Sequence, residues 1–233
     1  MNHSTLDSTR AAVPPTPMGF TAWSPRTAAL VAGVALALMA VLGGFGNFGA
    51  LVPLVIPGDA VETARNISGS PLLFFSGVAS FVVVALLDII VAGALYTLFK
   101  PVSRRLSAAA AWIRTVYAVL LLVAISRLVV GFSMLGDPET ALPVLESFTT
   151  IWVISLGLFG ASLLLVGYLA FRAGFMAKVV GILLAVAGAG YLADAVGMVF
   201  VAGFTAVFAQ FLFVGEVTMI FWLLIRGRRL AAH

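Results

Sequence analysis

The sequence predicts an all-α membrane protein, a bundle of six transmembrane helices with both termini cytoplasmic, and three observations carry that prediction. Of 233 residues, 62% are hydrophobic and 9% charged, where a soluble domain is about a quarter charged; mean hydropathy is +1.17. The apolar residues fall into runs of about 20 or more, enough for a helix to cross a hydrocarbon core about 30 Å thick. Lys and Arg are confined almost entirely to alternate connections, the pattern that orients a multi-pass protein.

Taken in order, residues 1–25 carry Ser, Thr and the prolines Pro14, Pro15, Pro17 and Pro25 without apolar periodicity, and read as a disordered cytoplasmic tail. The first apolar run starts too far in and is too long for a signal peptide. The transmembrane domain is expected over 26–226, with runs at 27–48, 71–99, 105–135, 147–171, 177–202 and 204–225. An extracytoplasmic loop is expected at about 49–70, where Pro53, Pro57 and Gly58 break the pattern and Asp59 is placed to cap one short amphipathic helix. The last two runs leave only Ala202, Gly203 and Phe204 as a turn. Residues 227–233 form a short basic tail.

Arg10, Arg26, Lys100, Arg104, Arg105, Arg172, Lys178, Arg226, Arg228 and Arg229 flank the runs on one side, and Arg65 stands alone on the other. That places both ends in the cytoplasm, with Asp59, Glu62, Asp137, Glu139 and Glu146 outside. The motifs GDAVETA at 58–64 and GDPETAL at 136–142 hint at a duplicated hairpin, although GD turns are also common at membrane interfaces.

Composition also excludes chemistry. The chain has no cysteine, which removes disulfides, thiolate nucleophiles, iron–sulfur clusters and thiolate zinc sites. Its histidines, His3 and His233, lie near the ends, so no metal or cofactor is expected in the bundle. The net charge of +4 arises at helix ends and not on a patch interleaved with aromatics, which argues against nucleic acid.

Five ionisable residues fall inside the runs: Asp88, Arg114, Arg127, Asp194 and Glu216. Unpaired, each costs about 2.5–3.5 kcal/mol to insert, so they must face one another or water. Asp88 and Arg114 lie at matching depth, about 15–18 Å from the basic turn between the second and third runs, and are expected to pair. Arg127 and Asp194 lie nearer the outer ends and form the second expected pair. The two arginines are about 140° apart around the third helix, which is therefore expected to be central, with Tyr117 between them bridging by its hydroxyl. Two arginines face three carboxylates; the surplus acid, Glu216 by elimination, carries a proton or holds a cation. Thr205 falls on about its helical face, and Gln210 about 120° away.

Ser155 and Ser162 share a face suited to helix packing, and Gly190 and Gly197 let a neighbour approach Asp194. No nucleophile–base pair is visible, so an enzyme is not the leading reading. GILLAVAGAG at 181–190 mimics a dinucleotide loop but follows no strand.

The stretches GYLAFRAGFMAKVVGILLAVAGAGYLADAV (167–196), GDAVETARNI (58–67), LLDIIVAGALYTLFKPV (86–102) and GEVTMIFWLLIRG (215–227) resemble an uncharacterised family of bacterial membrane proteins, domain of unknown function 4386. The resemblance implies a six-helix protein of the bacterial plasma (inner) membrane and no activity. It marks Asp88, Arg114, Gly167, Tyr168, Tyr191, Asp194 and Glu216 as the polar signature. With Tyr117 and Arg127, these polar side chains are the candidate network or ligand site. The network's expected work is to bind or pass a small solute, proton or cation; alternatives are a structural or regulatory subunit, or an intramembrane enzyme or lipid-binding protein. Expected partners are membrane lipids, a proton, cation or small apolar ligand, and further copies of the chain in a homo-oligomer.

Overall fold

A computed structural model describes residues 23–208 and 213–230; the expected tail over 1–22 and Gln210 lie outside them. Among the described residues all regular structure is helical. Five helices are long and apolar enough to cross a membrane: α1 (Pro25–Leu54), α3 (Pro71–Phe99), α4 (Arg104–Ser133), α5 (Pro138–Arg172) and α6 (Lys178–Phe200). The outer helix α2 (Ala60–Gly69) and the shorter apolar helix α7 (Val214–Ile225) complete the set.

Local chemistry sets the boundaries. Ser24 caps α1 by accepting from Thr27 N at 3.1 Å, with Pro25 in the first turn, where its missing N–H is harmless. The helix then widens to π winding over Phe45–Leu51 and ends at Leu54, just past Pro53. Asp59 Oδ1 accepts from Glu62 N at 2.9 Å, and this cap starts α2. Ser103 starts α4 in the same way. Helix α5 starts at Pro138, earlier than the apolar run, because its first turns are polar; Pro143 lies near the end of the helix, where few backbone bonds are disturbed.

The sixth apolar run does not form one long helix. Helix α6 ends at Phe200; Gly203 takes a positive φ of +73°, which favours glycine, and Thr205 lies in irregular chain. Thr205 therefore does not share a helical face with Glu216.

The long helices pack in chain order, each on the next, and α7 closes the ring on α1. Helix α4 is thus a member of the ring with α3 and α5 as neighbours, and not the central helix expected. Its outward face is apolar, with Trp112, Val116 and Val119 exposed, a face suited to lipid contact in a membrane. Leu38, Phe48, Leu86, Val196 and Phe221 are likewise outward and exposed. Such a surface suits hydrocarbon and not water.

Helices α5 and α6 approach each other closely through facing glycines. A Cβ added at Gly160 would lie 2.6 Å from Gly188 O, and one at Gly181 would lie 2.6 Å from Gly167 O. The pairs Gly160/Gly188 and Gly167/Gly181 are two turns apart, so the backbones touch along a heptad-spaced seam. This seam sets the register of the aromatic residues beside it.

Candidate functional site

Asp88 on α3 and Arg114 on α4 meet across the ring, with Arg114 Nε donating to Asp88 Oδ1 at 2.5 Å. Asp88 is 0% and Arg114 1% exposed. Asp88 Oδ2 and Arg114 Nη2 are buried with no hydrogen-bond partner among the described residues.

The guanidinium also lies over the ring of Phe159 on α5, 4.6 Å from its centroid. Two tyrosines pack on the same ring: Tyr117 of α4 at 5.1 Å, tilted, and Tyr191 of α6 at 5.2 Å, edge-on. The Tyr191 hydroxyl donates to Glu216 Oε1 of α7 at 2.7 Å. Glu216 is half-buried. Arg114 and Tyr117 of α4 and Tyr191 of α6 thus pack on one phenyl ring of α5, with Asp88 of α3 joined to the guanidinium and Glu216 of α7 joined to the Tyr191 hydroxyl. A cation over a ring face and rings meeting edge-on are both favourable, the more so away from water.

This cluster brings together Asp88, Arg114, Tyr117, Tyr191 and Glu216. The Tyr117 hydroxyl does not bridge two charge networks as expected; it accepts from Trp152 Nε1 at 3.4 Å.

The second expected ion pair is absent among the described residues. Arg127 Nε instead donates to Ser147 Oγ of α5 at 3.0 Å, because its angular offset from Arg114 turns it toward α5. Asp194, 1% exposed, turns to the chain break: its Oδ1 accepts from Val207 N at 3.0 Å and Phe208 N at 3.1 Å. Tyr168 lies apart from the cluster, 50% exposed. It lines a recess of about 400 Å3 with Ser103, Leu106 and Arg172 at the basic end of the bundle.

Phe159 was not singled out in the sequence. One available signal was its position between Gly157 and Gly160, where small neighbours let it lie deep. Ser162, expected in packing, donates to Ala110 O of α4 at 3.0 Å, tying α5 to α4 one turn from Phe159.

Chemically, the arrangement pairs one guanidinium with a carboxylate and gives a second carboxylate a tyrosine hydroxyl. Such a set can hold a proton or small cation, or lock helices in register.

No solved structure matches the chain significantly. An Archaeoglobus fulgidus protein described as "Uncharacterized protein" is 32% identical over 160 residues, covering 67% of this chain and 86% of that relative. The family profile "Domain of unknown function (DUF4386)" matches residues 31–227, a stretch that carries α1 from its second turn on, all the later helices and every residue of the Phe159 cluster. This multi-pass, membrane-type helical chain therefore belongs to the DUF4386 family, as its sequence resemblance implies.

Proposed function

We propose that the protein spans the bacterial plasma membrane six times, with both ends cytoplasmic, and passes a proton or small cation through the Phe159 cluster. The supporting observation is Glu216. Its hydrogen bond is with the Tyr191 hydroxyl, while Arg114 is engaged by Asp88. A carboxylate inside a bilayer without a cation in contact takes up a proton or a cation. Tyr191 holds the oxygen in place while leaving that exchange open.

In liposomes under a proton or cation gradient, wild type should conduct. Glu216→Gln, folded as judged by gel filtration, should conduct at least about tenfold less, and Tyr191→Phe should fall between. Absence of wild-type flux under every gradient, or full flux in Glu216→Gln, overturns the reading.

A second reading, that the network only fixes the bundle, draws on the complete burial of Asp88 and Arg114. On that reading the variants change stability and there is no flux to lose.

A further inference from the structure

Between α3, α4 and α5 lies a cavity bounded by Tyr96, Ser107, Ala110, Arg114 and Ser162 among others. About 10 Å3 of it is open to the centre of a water molecule, close to what one water needs. Two of its lining residues carry buried polar atoms with no partner among the described residues, Arg114 Nη2 and Ser107 Oγ. Their residues are 1% and 2% exposed. Ser162 Oγ donates to Ala110 O and retains lone pairs to accept. A small cavity whose wall is largely apolar but holds a cationic donor, a hydroxyl and an acceptor offers a buried water the partners it needs.

The cavity also has a direction. Ser107 and Arg114, two turns apart, lie within about 20° of one another on α4, and the residues Ala110 and Ala111 between them are small. Ser103, one turn toward the helix end, lines the wider recess shared with Tyr168 and Arg172. Ser103, which caps α4, and Ser107, one turn inside it, stand in order between the recess and the guanidinium. Buried polar groups facing bulk-accessible space are normally met by water.

We infer that water occupies this cavity and reaches the Asp88–Arg114 pair from the end of the bundle that carries Lys100, Arg104, Arg105 and Arg172. This goes beyond conduction through Glu216, since water can reach Arg114 whether or not any ion passes. It assigns a binding site for water, or for an ion of water's size, and a side from which the network is wetted.

Because the chain has no cysteine, single thiols can be placed without background. In membrane vesicles exposing the basic end, Ser107→Cys and Ala110→Cys should react with Ag+ at least about tenfold faster than Ala187→Cys, which is fully buried on α6. A bulky trimethylammonium thiosulfonate should modify Ser103→Cys only. Ag+ rates at Ser107→Cys and Ala110→Cys no faster than at Ala187→Cys would show the cavity to be dry and overturn the inference. If either variant misfolds, wild-type protein gives the same answer by X-ray hydroxyl-radical footprinting. Bound water should oxidise Leu95, a buried residue of the cavity wall, and spare Leu184, which is 0% exposed; equal protection of both overturns it. Thiol reaction is read without any flux, so failure of this inference and failure of the conduction proposal are separate results.

Discussion

Arg114 makes its contacts by three different means: an ion pair to Asp88, a ring face at Phe159, and an Nη2 left without a protein partner among the described residues. Removing one member of a buried pair strands the other, a change that costs about 3–5 kcal/mol in soluble proteins. Asp88→Leu and Arg114→Leu should each lower thermal stability in detergent by several degrees, while the double variant should fall well short of their sum. An additive cycle would mean that the two side chains do not act as a pair. This pair was legible in the sequence because both members lie at one depth beside a shared turn. Arg127 with Asp194 was not, because depth says nothing about which way a side chain points. Asp194 is used by the backbone amides of Val207 and Phe208, a break that the uniformly apolar sequence hides. Phe159 was unreadable for a related reason: a phenylalanine facing lipid and one under a guanidinium look alike in sequence.

At the scale of elements, the α5–α6 seam carries the site. Phe159 adjoins Gly160 and Tyr191 lies three residues beyond Gly188, so the spacing of the two rings depends on backbones that nearly touch. Gly188→Leu and Gly160→Val should push the helices apart, reduce the yield of monodisperse protein in detergent, and lower its melting temperature. Gly174→Ala, in open space between the two helices, should behave as wild type. Equal tolerance at all three positions would remove the seam from the account. The glycines are plain in the sequence, yet their pairing is not, since each helix carries several glycine faces and only the antiparallel register selects Gly160 with Gly188.

For the whole molecule, the ring of helices with apolar outer faces is what composition alone dictates, and the long helices fall where the apolar runs do. Where sequence and structure part is at the end, because α7 covers Val214–Ile225 only, about 18 Å of helix. The six-span proposal takes its orientation from the basic end, where Phe99, Phe175 and Trp222 gather in ring contacts, beside Lys100 and Arg226. Reporter fusions that light only in the cytoplasm should be active at both the N-terminus and C-terminus and silent when inserted beside Arg65. Activity at one terminus alone would make the number of spans odd and would displace the six-span proposal.

The π winding of α1 bears on that same architecture. Each wide turn lags an α turn, and over Phe45–Leu51 the lag approaches one residue, about 100° of azimuth. Below it, Ala29 and Gly33 meet Gly227 and Leu224 at the closing edge of the ring; within it, Gly46 and Ala50 meet Phe81 and Gly77 on α3. One continuous rod thereby serves two partners in different directions, as a threaded shaft with a slipped pitch would. No single helical wheel describes α1, and residues that such a wheel would place on opposite sides both end up facing protein.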